Sequence, residues 1–231
     1  MKTRGFLMTP LRLPLLAACL VLGDRQASPW TREFPVEKSA LGPRGRSAYF
    51  ILEPGYVQVL EAGRERLVIT VLDETRSVDG VETRIVEERE TDNGALVEVS
   101  RNYFAIDSRR GDVYYFGEAV DLYRNGRLSG HEGAWLAGED GARFGLMLPG
   151  RATLGAGYYQ ELAPGRAMDR GRIVALHASV VTPAGRFRDC VKVEETTPLE
   201  PGVREYKYYA PGVGLVQDGT LKLVRSGPAP R

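Results

Sequence analysis

Histidine and cysteine are scarce: the 231 residues hold two of each. A metal centre needs three or four converging ligands, and two separated histidines with scattered carboxylates are a poor set, so no metal is expected. One cysteine, Cys19, lies in an apolar leader, which leaves Cys190 without an intramolecular disulfide partner and core packing alone to hold the fold. Nothing around Cys190 signals a lowered thiol pKa, and it reads as a buried, inert strand residue. The chain also lacks a Gly-x-Ser-x-Gly elbow, a His-Glu-x-x-His pair, a phosphate loop and a Cys-x-x-Cys pair, so no catalytic residue is assigned and no cofactor has a seat. No window carries a sustained helical period with caps, and 27 glycines with 14 prolines exclude an all-helical fold. An excess of one charge is missing too, with 31 basic against 30 acidic residues. Three of the basic residues (Lys2, Arg4, Arg12) precede the first acid, Asp24, leaving 28 against 30, a net −2, for the rest of the chain. Phosphate binding along a nucleic acid needs a cationic surplus, so nucleic acid is not an expected partner.

What is present begins with an address. Residues 1–12 carry three cations and no acid, and Leu13 to Gly23 is an apolar run of eleven, too short to cross a bilayer about 30 Å thick as a helix. This is the pattern of a secretory signal peptide. Leu16-Ala17-Ala18-Cys19 reads as a lipobox with Cys19 as the lipidation site, and the membrane would be a partner through that anchor. Soluble release near Val21-Leu22-Gly23 and a retained N-terminal anchor are the other routes. The expectation is a periplasmic or cell-surface lipoprotein, or otherwise a soluble secreted or periplasmic protein. The chain divides into a signal peptide (1–23), a tether (24–47), one β-domain (48–225) and a tail (226–231).

Within the β-domain, Asp79-Gly80, Asn93-Gly94, Arg110-Gly111 and Asn125-Gly126 recur between β-rich runs. Asx-Gly at such places is a strong hairpin signal because both turn residues need positive φ. About ten strands follow, several of them long. Glu98, Ser100 and Asn102 alternate with Val97, Val99 and Tyr103, as in a sheet with one wet face, and the parity changes at Phe104 and Ile106 predict a bulge or a strand covered on both sides. Long antiparallel meanders twist and curl, so the predicted fold is all-β: a single curled antiparallel sheet, a half-barrel or open sandwich. Helix is confined to the leader and a short turn near Ser47 to Leu52.

The stretches Val71 to Arg84, Ser100 to Asp107, Gly111 to Glu118, Thr182 to Cys190 and Tyr208 to Val216 resemble a family of uncharacterised exported bacterial proteins and lipoproteins. More distantly, the closing Pro-Ala-Gly, Phe, Cys and Tyr-Ala-Pro-Gly-Val-Gly pattern resembles domains of unknown function with TapB-like and lipoprotein-carrier-like folds. The resemblance implies an exported β-protein and supplies no catalytic residue.

The segment Gly117 to Arg170, with its loops and aromatics, is where a β-scaffold would carry function. Trp135, Tyr158, Tyr159 and His131 are the candidate ligand-binding residues. Rings such as these, with Tyr114, Tyr115, Tyr206, Tyr208 and Tyr209, supply flat contact area for a small apolar or glycan ligand, or for an envelope protein; cross-strand aromatic pairing explains the same residues structurally. His131 beside Glu132 and the carboxylates Glu194, Glu195, Glu200 and Glu205 keep a second reading open, a hydrolase acting on an envelope polymer. His177 reads as a sheet residue. The leading expectation is a non-enzymatic binding protein of the cell envelope.

Overall fold

A computed structural model describes residues 30–229; the expected signal peptide with Cys19, the first part of the expected tether and the last two residues lie outside the described residues. The strands in chain order are β1 (Leu41–Gly42), β2 (Gly45–Arg46), β3 (Ile51–Leu52), β4 (Tyr56–Ala62), β5 (Glu65–Val78) and β6 (Val81–Asp92). They continue as β7 (Ala95–Asp107), β8 (Val113–Arg124), β9 (Arg127–Gly130), β10 (Trp135–Leu136), β11 (Arg143–Leu148) and β12 (Gly157–Tyr159). The last six are β13 (Glu161–Leu162), β14 (Arg170–Thr182), β15 (Gly185–Thr196), β16 (Glu205–Ala210), β17 (Gly214–Asp218) and β18 (Leu221–Pro228). The strand count is therefore higher than the ten expected, because two- to four-residue strands leave little periodicity in a sequence. Ile51–Leu52 is a strand rather than a helical turn, and the described helix is a single 3-10 turn at Lys38–Ala40.

The turns follow local chemistry. Asp79-Gly80, Asn93-Gly94 and Asn125-Gly126 all have positive φ at both residues, the geometry that joins right-twisted strands with a two-residue loop. These turns set the register of the long antiparallel pairs β5–β6, β6–β7 and of β8 with β9. The parity change at Phe104 corresponds to a register shift after Asn102, and the extra residue lies on the neighbouring strand, at Phe116-Gly117. Gly117 has φ 139° and a Cβ there would run into the Trp135 carbonyl, so glycine lets β10 close in on the bulge. Tyr103 to Asp107 are all buried, so this end of β7 is covered on both faces.

Sixteen strands form one sheet with the path β12, β14, β15, β16, β17, β18, β4, β5, β6, β7, β8, β11, β13. Its two ends, β12 and β13, are consecutive in the chain and separated by one residue, Gln160. The sheet thus curls into a nearly closed barrel whose seam is the segment 157–162. At the seam Gly145 of β11 lies directly under the Gln160 carbonyl, where any Cβ would collide. The chain between Trp30 and Arg46 lies against the sheet: Leu41 and Gly42 pair with the end of β7, and the Phe34 ring meets Tyr114 edge-on at 6.1 Å. At the other end β18 carries the sheet through residues 226–228, where the sequence reads as a tail.

Candidate functional site

Register decides what faces inward. Glu88 pairs with Ser100, Val86 with Asn102 and Asn102 with Glu118, while across the barrel Lys207 pairs with Val193 and Asp218, and Glu195 with Gly171 and Glu205. Because side chains alternate between faces, these positions share the concave side. They line a cavity of about 340 Å³ whose wall includes Glu88, Glu98, Ser100, Asn102, Tyr115, Glu118, Gln160, Glu161, Arg166, Asp169, Glu195 and Lys207. A smaller compartment of about 60 Å³ adjoins it, lined by Phe50, Tyr56, Ile69, Val71, Leu215 and others. The two share Glu88, Phe104, Met147 and Lys207. The polar face of β7 therefore lines the interior of the barrel.

Lys207 is the ammonium of this interior. Its Nζ lies 2.9 Å from Glu195 and 3.6 Å from Asp218. Burial alone would lower its pKa, but the two carboxylates outweigh that and hold it well above its ordinary value. Gln160, on the seam, donates to the other oxygen of Glu195 at 2.8 Å. The Tyr115 hydroxyl donates to the side-chain carbonyl of Asn102, whose amide nitrogen donates to the Ser100 hydroxyl at 3.4 Å.

Six carboxyl groups line the polar cavity against two cations, Lys207 and Arg166, and Arg166 is paired with Asp140 at 2.8 Å. Burial pushes the Glu88 carboxyl up to about 7; Lys207 opposes this and the negative Asp218 adds to it. Glu118 is likewise pushed up to about 7, with burial the main cause. Glu161 lies well above the usual carboxylate range, raised first by burial and then by Asp169 and Glu118, and Asp169 and Asp218 are raised by burial and by Glu195. The cavity thus sets carboxyls whose pKa values are raised by burial beside the Lys207–Glu195 ion pair.

The four aromatic and histidine candidates do not converge. Trp135 pairs with Glu118 and sets its ring edge-on to Tyr115 at 5.4 Å; it is buried, and its indole N–H has no partner among the described residues. Tyr158 is buried against Gly171, where the absent side chain leaves room for its ring, and its hydroxyl also lacks a partner. Tyr159, the next residue, faces the opposite side, where Arg32 donates to its hydroxyl at 2.7 Å. His131 sits on an exposed turn with Nδ1 2.8 Å from the Val120 carbonyl and 3.0 Å from Asp121. Of the four carboxylates noted as a group, Glu195 enters the cavity, while Glu194 on the opposite face pairs with Arg204 at 3.3 Å. His177 is exposed and pairs with Asp189 at 3.0 Å. Cys190 is fully buried, and burial raises its thiol pKa.

Glu88, Glu118, Glu161, Asp169 and Lys207 escape a reading of the sequence. The signal that would find them is polar residues held in phase along strands too long to end in a loop, as in Glu88 and Glu90 against Ser100 and Glu98. Glu118, Gln160, Glu161 and Asp169 all belong to the Gly117 to Arg170 segment. No family model, no curated protein and no solved structure matches this chain.

Proposed function

We propose that this is an exported envelope protein, lipidated at Cys19, that works by binding a donor-rich polar ligand of the glycan class inside its barrel. The observation that carries the reading is the division of the interior. Ligand pockets generally span about 300–1,000 Å³. The carboxyl-lined cavity, about 340 Å³, lies in that range, whereas the apolar compartment, about 60 Å³, has room for a methyl or acetyl group and not for an acyl chain. Carboxyls and the Gln160 and Asn102 amides supply acceptors for sugar hydroxyls and amines, and Tyr115 and Phe104 supply ring surface. The resemblance to exported lipoproteins agrees with this address.

The test uses Trp135, whose ring meets edge-on the Tyr115 ring of the cavity wall. Titration with short oligosaccharides of N-acetylated and de-acetylated hexosamine should change tryptophan emission saturably in the wild type and not in Glu161→Leu. Flat titrations with every oligosaccharide would remove the proposal. One observation favours hydrolysis as a second reading: a carboxyl kept protonated near neutrality (Glu118) shares a cavity with the ion-paired Glu195, the pairing of acid and base that glycoside cleavage uses. New reducing ends formed by wild type and not by Glu118→Gln would establish it; binding without turnover would leave the first reading standing.

A further inference from the structure

The outer face of β12, β14, β15 and β16 has a different chemistry from the inner one. Alternation puts Arg170, Arg172, Lys192, Tyr206 and Tyr208 opposite to the inward Glu195 and Lys207. Two groups of cations lie on rings there. Arg170 stacks over Trp30 at 4.6 Å and reaches Tyr159 at 5.9 Å; Arg172 lies over the same Trp30 at 4.3 Å, and Arg32 over Tyr159 at 4.7 Å. Lys192 sits 3.8 Å from the centre of the Tyr206 ring and 5.4 Å from Tyr208. Gly157 makes this packing feasible, since a Cβ there would press on the Trp30 ring at 3.1 Å.

Part of the positive charge on this face has no carboxylate partner among the described residues. Glu194, the acid that shares it, is taken by Arg204. Arg32 and Arg170 have no carboxylate within ion-pair distance among the described residues, and the buried Nε of Arg170 has no hydrogen-bond partner there. Arg172 donates to the Gly155 carbonyl at 3.2 Å. A guanidinium stacked on a ring keeps in-plane N–H groups that can meet phosphate oxygens; Arg32, exposed and with one nitrogen on Tyr159, has others to spare. Tryptophan and tyrosine beside arginine and lysine is also the side-chain mixture found at bilayer surfaces, where amphipathic rings sit at headgroup depth and cationic stems extend towards phosphate.

We propose that this face docks on the anionic phospholipid headgroups of the bilayer to which the protein is exported. The proposal rests on the export reading for the bilayer it meets, and the position of the patch supports it. Trp30 follows Cys19 by eleven residues, and an extended chain of that length reaches at most about 40 Å. An acyl anchor at Cys19 would therefore keep Trp30, Arg32 and their neighbours within one protein diameter of the headgroups. Docking would fix the orientation of the barrel on the membrane.

The experiment is quenching of Trp30 fluorescence by brominated lipids, with the full chain in vesicles of phosphatidylglycerol or of phosphatidylcholine alone. Trp135 is buried and provides a constant background. Flotation of the protein with both vesicle types tests the anchor separately. Docking predicts quenching by brominated phosphatidylglycerol, little quenching by brominated phosphatidylcholine, and release of the quenching in 0.5 M salt, where the screening length falls below about 5 Å. Arg32→Ala with Lys192→Ala should weaken the interaction about 25-fold, at roughly 5-fold for each cation near an anionic surface. If the chain is not anchored, co-sedimentation with anionic but not neutral vesicles supports docking equally well. Equal quenching in both lipids, no quenching while the protein floats, no co-sedimentation of an unanchored chain, or a salt-resistant dimer that buries the face would each overturn it.

Discussion

Replacing Glu88 by glutamine should stabilise the protein, and only above mildly acid pH. In the folded barrel the Glu88 carboxyl titrates at about 7 because burial disfavours its charge, against about 4.5 for an ordinary glutamate. Between those values the native state binds more protons than the unfolded chain, so stability falls as pH rises from about 4.5 to 7 and is level beyond. A difference of about 2.5 pH units at 1.36 kcal/mol each corresponds to about 3 kcal/mol of lost stability at pH 8. Cavity water next to the carboxyl makes this an upper figure. Glutamine keeps the shape and carries no charge, so Glu88→Gln recovers the loss at pH 8 and changes little at pH 4.5. Urea unfolding followed by tryptophan emission reads the effect: with a slope of about 3 kcal/mol/M, the midpoint rises by about 1 M at pH 8. The wild type should itself be more stable at pH 5 than at pH 8, since Glu118, Glu161, Asp169 and Asp218 are shifted in the same direction. A midpoint that moves equally at both pH values, or a wild type more stable at pH 8, would show that these carboxyls are solvated and the reasoning wrong.

Two further substitutions test the interior and the seam, and a third tests the leader. Lys207→Met leaves Glu195 and Asp218 without their cation and should cost about 3–5 kcal/mol at pH 8, and less at pH 5, since burial shifts Asp218 towards its neutral form; thermal denaturation at the two pH values separates the cases. Gly145→Ala forces a methyl group into the Gln160 carbonyl, should cost about 1–3 kcal/mol, and should raise hydrogen exchange selectively over residues 157–162, the seam. Metabolic labelling with a clickable palmitate should mark the wild type and not Cys19→Ser; equal labelling of both would refute lipidation.

Local chemistry made part of this protein legible in its sequence. Asp79-Gly80, Asn93-Gly94 and Asn125-Gly126 announce hairpins because positive φ at two successive residues is cheap for Asx-Gly and costly for most other pairs. The alternation in β7 and β15 gives an all-β curled sheet, and the break at Phe104 marks a real register shift. What alternation cannot tell is which of two wet faces meets bulk water. Glu98, Ser100 and Asn102 look like solvent-facing residues, yet closure of the barrel turns them towards Glu118, Glu161 and Lys207. That closure depends on Gln160 joining two sheet ends whose partner strands, β11 and β14, are more than twenty residues apart. The acidic interior is therefore a property of the tertiary structure: strands far apart in the chain each contribute one or two ordinary carboxyls. Only their shared burial, and the negative neighbours that come with it, raise their pKa values, against the opposing charge of Lys207.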